Sequence, residues 1–253
     1  MIRVSPGLCR LAAVLSACAI LVAAQTGPSD TLKGAFFPNG ADPAREAAAY
    51  VSEDGRLSLV LDWSGAQPLL RIGGSREVFA LKPVPGPRGD TVFKSDAGQN
   101  ILRASALGGL TLFPDRPEAA APLERRGPAT RLSYAVLHQT PPSTQIAQAL
   151  DAMRRSLGRP LTFDRPASEP HTESFFADIA VIAELGLIQS ERWDAAAAAR
   201  ARLTGIVVVR ADSPRAYVRD DRLILAVDPA AGFAGRPSST AIVQALIRAG
   251  APD

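Results

Sequence analysis

Turn-forming residues recur about every ten positions between Asp54 and Gly109, and this rhythm constrains the fold more than any other feature of the chain. The signals are Asp54-Gly55, Ser64-Gly65, Gly73-Gly74, Gly86 to Gly89, Ala97-Gly98 and Gly108-Gly109. The short segments between them suit strands of ~5–6 residues better than helices. Their patterning agrees: Leu57, Leu59, Leu61 and Trp63 alternate with Ser58, Val60 and Asp62, which puts the first set on one buried face. Shorter apolar runs follow at Leu69 to Ile72, Val78 to Leu81, Thr91 to Lys94, Ile101 to Ala104 and Leu110 to Phe113. Residues 50–113 are therefore expected to form six or seven antiparallel strands, a β meander arranged as a small sandwich or a partly closed barrel.

The flanks read differently. Residues 25–49 comprise a polar leader and a short helix, since Asp42 followed by Pro43 resembles an N-cap with proline at the first helical position, running to Ala49. Residues 114–130 are rich in proline, alanine and charge, with Glu124, Arg125 and Arg126 in a row, and are expected to be a linker. Beyond them the period becomes helical. Ile146, Leu150, Met153 and Leu157 make one stripe, opened by Ser143 and stopped by Gly158 and Pro160. A second helix holds Phe175, Phe176, Ile179, Ile182 and Leu185 and ends at Gly186; a third follows Ser190 to Ala201. Three strands, Ile206 to Arg210, Ala216 to Arg219 and Leu223 to Val227, then join through tight turns as an antiparallel sheet, and a last helix near Ser238 or Ser239 buries Ile242, Val243 and Leu246. The expected class is α+β, with residues 131–253 as an α+β domain after the β domain.

Residues 1–24 have the order of a secretory signal. Arg3 and Arg10 precede an uncharged apolar run from Leu11 to Ala24, which closes on small residues, and cleavage is expected after Ala24. The run spans about 21 Å at ~1.5 Å per residue, short of a ~30 Å hydrocarbon core, so no transmembrane segment is expected in the mature protein. Leu15-Ser16-Ala17-Cys18 also resembles a lipobox, which gives a second address, a lipoprotein anchored through Cys18. Otherwise the protein is expected in the periplasm or secreted. Both cysteines, Cys9 and Cys18, lie in this segment, so the mature chain is disulfide-free and has no thiol nucleophile. Removing Arg3 and Arg10 also leaves 26 bases against 25 acids, and neither half is basic enough to suggest nucleic acid as a partner.

Candidate chemistry is sparse. His138 and His171 stand far apart; His171 with Glu173 supplies two metal ligands where a site needs three or four, so no metal is expected. Asp212, Asp220, Asp221 and Asp228 lack the spacing of a calcium loop and read as turn formers. Trp63 continues the Leu57, Leu59, Leu61 face and reads as core. No serine lies in a G-x-S-x-G elbow, and no catalytic residue or cofactor is assigned. One segment stands out, Gly232 to Thr240, a glycine-containing loop entering a helix. The free N–H groups of a helix start attract anions, and Arg236, Ser238, Ser239 and Thr240 are the candidate ligand-binding residues.

The turn and strand residues from Tyr50 to Phe113 carry a resemblance: Ser64-Gly65, Leu69-Leu70-Arg71, Pro87-Arg88-Gly89-Asp90, Asp96-Ala97-Gly98-Gln99 and Leu107-Gly108-Gly109, together with Gly232 to Ser239. They resemble an uncharacterised family of exported alphaproteobacterial proteins, a domain of unknown function. The resemblance implies export and a shared fold, and carries over no functional residue. Two readings of function follow. The first is a non-enzymatic exported protein that binds an envelope protein or a small-molecule ligand. The alternative is a periplasmic enzyme with an anion-binding site at the start of the last helix.

Overall fold

The structure, a computed structural model, describes residues 46–113, 120–137, 139–167 and 169–251. The signal segment, the helix start at Asp42 and His138 lie outside the described residues. Nine strands form one antiparallel sheet: β1 (Ala47–Ser52), β2 (Ser58–Asp62), β3 (Leu69–Ile72), β4 (Phe79–Ala80), β5 (Lys82–Pro85), β6 (Thr91–Lys94), β7 (Asn100–Ala104), β8 (Leu110–Leu112) and β9 (Ala121–Ala129). Their spatial order is β4-β3-β2-β1-β9-β8-β7-β6-β5. The two outermost strands, β4 and β5, are separated in sequence by Leu81 alone, so the sheet has to curl until its edges meet. Leu81 N donates to Pro68 O at 2.8 Å at this seam. The result is a nearly closed barrel rather than a sandwich. Its interior is packed with side chains from alternate strand positions, among them Leu61, Leu70, Leu81, Phe93, Leu102 and Leu112. Trp63 packs edge-on against Phe93 with ring centroids 5.5 Å apart.

Two segments adopt a different structure from the sequence expectation. Ala47 to Ala49, read as the end of a helix, open strand β1, because burial of Ala47, Ala48 and Tyr50 against the barrel outweighs the helix preference of alanine. Residues 121–129, read as part of a linker, form β9, which closes the barrel between β1 and β8. Its two prolines fall where the strand has a single neighbour. Pro122 pairs only towards Thr111 of β8 and Pro128 only towards Ala48 of β1, so each lies beside a flank with no ladder to supply.

After a helical turn (Tyr134–Leu137), the second half contains helices α1 (Pro142–Leu157), α2 (Glu173–Gln189), α3 (Asp194–Arg202) and α4 (Ser239–Gly250). With them is a four-stranded sheet of β10 (Thr162–Asp164), β11 (Gly205–Arg210), β12 (Arg215–Arg219) and β13 (Arg222–Val227), in the order β10-β11-β13-β12. The sheet is mixed, not antiparallel: β11 runs parallel to both β10 and β13, and only β12 and β13 form a hairpin. Asp220 and Asp221, at φ 50° and 53°, make its two-residue turn, a conformation that short Asx side chains tolerate. Helix α2 is the core of this half, with Phe175 to Ala183 buried on every side. It does not stop at Gly186 but runs on to Gln189. Gly186 is where α4 crosses it, since a Cβ there would lie 2.7 Å from Ile242 Cβ and Cγ2.

Candidate functional site

The two halves meet at a buried polar junction built around the segment that stands out in the sequence. Asp228 caps the turn Pro229–Gly235 by accepting from Ala230 N at 3.0 Å, and this turn delivers Arg236 inward. The Arg236 side chain is 2% exposed. Its Nε donates to Asp178 Oδ2 on α2, and its Nη2 donates to the Val78 carbonyl at 3.1 Å. Ser238 is the N-cap of α4, with Oγ accepting from Ala241 N at 3.1 Å.

The donors at this helix start are taken up by carboxylates of the barrel half. Asp96, in the β6–β7 turn, accepts from Ser238 N at 2.8 Å. Glu77, on the connection from β3 to β4, accepts from Ser239 N at 2.8 Å and from Ser239 Oγ at 2.5 Å. Thr240 Oγ1 lies 3.5 Å from Gln99 Oε1, at the edge of hydrogen bonding. The four residues named from sequence are thus brought together, and the chain's own acids occupy the anion-attracting positions.

Burial pushes the Glu77 carboxyl up from its ordinary range, more strongly than the Arg236 charge and the Ser239 hydrogen bonds pull it down. For Arg236, burial alone would lower the pKa. The charges of Asp178 and Glu77 outweigh it and hold the guanidinium above its usual value. Burial also raises the nearby Tyr134 phenol, aided by the charge of Asp178. An apolar seam of Val78, Leu132 and Phe233 seals the junction, and Asp62 Oδ2 accepts from Leu132 N at 2.7 Å beneath it.

A recess of about 110 Å³ beside Lys82 and Arg236 is small for a ligand site. A hollow of about 620 Å³ at the barrel end opposes its own charges, Arg56 lying 3.7 Å from Asp54. The third recess has a different character. It is a groove of about 400 Å³ with Arg71 and Arg76 on the barrel wall and Gln139, Gln145 and Gln148 on the helical wall. Arg76 is held in a two-pronged pair with Glu184 of α2, at 3.0 and 2.5 Å. Gln145 is buried, its Nε2 donates to Thr140 O at 2.6 Å, and its Oε1 has no hydrogen-bond partner.

Residues 32–246 match the family model described as Domain of unknown function (DUF4908). The chain belongs to this family. No curated protein and no solved structure matches it significantly. The DUF4908 match spans barrel, junction and helical half together, so the contacts between Glu77 and Ser239 lie inside one family unit.

The other sequence candidates stay apart in this DUF4908 chain. His171 is exposed, with Nδ1 3.4 Å from Glu169, while Glu173 pairs with Arg165 at 3.2 Å. Asp221 pairs with Arg202 at 3.2 Å. Among the described residues no three His, Cys, Asp or Glu side chains gather as a metal site, and no helix is long and apolar enough to cross a membrane. Sequence reasoning missed Glu77, Asp178 and the groove. A signal for Asp178 was present: a lone acid inside the apolar run Phe175 to Ile182 needs a buried partner.

Proposed function

We propose that the protein is a non-enzymatic exported binding module whose ligand or envelope partner occupies the groove between barrel and helical half. The groove itself carries this reading. Its volume falls within the ~300–1,000 Å³ range of small-ligand sites, and its walls offer guanidinium and amide groups, which hold ligands by hydrogen bonds without turning them over. The alternative, an enzyme using Arg236 and the start of α4 for an anionic substrate, has less support, because those groups already serve Asp178, Glu77 and Asp96. Export rests on residues 1–24 and on the resemblance to exported alphaproteobacterial proteins. Cleavage after Ala24 places the module in the periplasm or outside the cell, whereas lipidation of Cys18 would place it on a membrane.

A thermal-shift screen of small anions, amino acids and short peptides tests the binding reading, because a ligand of the native state alone at 100 times its Kd adds ~2.7 kcal/mol of stability. The expected result is at least one ligand that raises the melting temperature of the parent and loses its effect in Arg71→Glu. Ligands that act equally on both proteins would place binding elsewhere. Mass spectrometry of the envelope-derived protein should find Gln25 at its N-terminus; a diacylated Cys18 would contradict the periplasmic address.

A further inference from the structure

We infer that the groove captures short peptides by their C-terminal carboxylate, an inference that rests on the groove being the binding site. Arg71 projects from β3 into the groove and makes no ion pair among the described residues, so its fork of donors is available to a carboxylate. Arg76, beside it, is fixed by Glu184, which compensates its charge and keeps it from collapsing onto the ligand. No acid lines the groove among the described residues, and with Arg76 compensated by Glu184 the charge of Arg71 is what favours an anion there.

Charge alone fits phosphate or citrate equally well, and Gln145 favours a ligand that adds an N–H donor to its anionic group. Its side chain belongs to a residue 6% exposed, and Oε1 is a buried acceptor without a donor. An unmet acceptor is costly, and because Gln145 lines the groove, a ligand N–H reaching it would remove that cost. Inorganic phosphate is mainly an acceptor, with one or two P–OH donors on the same small group that Arg71 would hold. A peptide brings a carboxylate for Arg71 and, a few ångströms away, a backbone N–H for Gln145. Gln139 and Gln148, which both donate and accept, complement further peptide groups, and Val136 and Val181 supply an apolar wall for a small side chain.

The test is titration calorimetry of the purified full chain with N-acetyl-Ala-Ala, a small probe with a free carboxylate, two amide N–H groups and methyl side chains. Binding is expected, with affinity falling roughly tenfold to a hundredfold for the C-terminal amide of the same peptide and for Arg71→Gln, the loss of one charge-assisted contact. Gln145→Met should also weaken it, while Arg56→Ala, outside the lining of the groove, should not. Equal binding of the acid and amide forms, or no binding of either, overturns the inference. If phosphate or citrate then binds in a manner lost in Arg71→Gln, the groove reading stands and only the peptide class fails. If none of the three probes shows Arg71-dependent binding, both fail.

Discussion

Two carboxylates, Glu77 and Asp178, face one guanidinium at the junction, and the backbone donors of α4 supply the balance. Such a cluster holds shape at a cost, since each buried charge has lost its water. The cost is readable in pH. Burial raises the Glu77 carboxyl in the folded chain above its value in the unfolded one, so the folded chain binds the proton more tightly. Its contribution to stability is present below the ordinary carboxylate range and is lost as pH rises through the raised folded pKa, with a slope of up to ~1.4 kcal/mol per pH unit. Glu77→Gln keeps an acceptor for Ser239 N and removes the titration. Urea unfolding of parent and variant between pH 4 and 8 should give a difference that moves in the variant's favour as pH rises; parallel curves would contradict it. At this scale the sequence disclosed Arg236, Ser238, Ser239 and Thr240 as neighbours but not their partners. Glu77 sits among short strands with no local pattern marking it as buried, and its partner lies 162 positions away.

Helices were more legible than strands, for a physical reason. The stripe Ile146, Leu150, Met153 and Leu157 carries its own period, and α1 follows it, beginning at Pro142 and ending at Gly158 in the left-handed region with φ 69°. Strand β9 has no such signature. Only Leu123 of its nine residues packs against the barrel core, and its pairing is dictated by the strands on either side. The parallel pairing of β11 with β13 was equally hidden, because β12 lies between them in sequence and outside them in space. Gly186 misled as a helix stop because glycine also permits close helix crossing. Gly186→Ala would ordinarily favour a helix by ~1 kcal/mol. Here the new methyl meets Ile242 at 2.7 Å and the Ser239 carbonyl at 3.1 Å, so a net loss of ~1–3 kcal/mol is expected from overpacking. Denaturant unfolding of the variant checks the sign, and Gly186→Ala combined with Ile242→Val should recover part of the loss.

The molecule as a whole is tied by long-range contacts through the junction, where Arg236 pairs with Asp178 of the helical half and donates to the Val78 carbonyl of the barrel half. Arg236→Ala leaves Asp178 and Glu77 as buried acids without their cation and should cost about 3–5 kcal/mol. Calorimetry should show one endotherm for the parent and a lowered, broadened or divided one for the variant; an unchanged trace would mean that the remaining contacts hold the halves without Arg236. The α+β class and the barrel-like meander were legible at this scale from turn spacing and period. The closure was not, because it depends on β1 meeting β9 across about seventy to eighty residues. That closure also sets an order of events. Whether the chain emerges from a ribosome or a membrane pore, β1 arrives early and finds only β2 to pair with until β9 follows, and long loops are slow to close. Glu77 waits longer still, until Ser239 appears near the end of the chain. The barrel stays open-sided for most of its synthesis and the junction assembles last, so an incomplete chain remains threadable while a finished one locks.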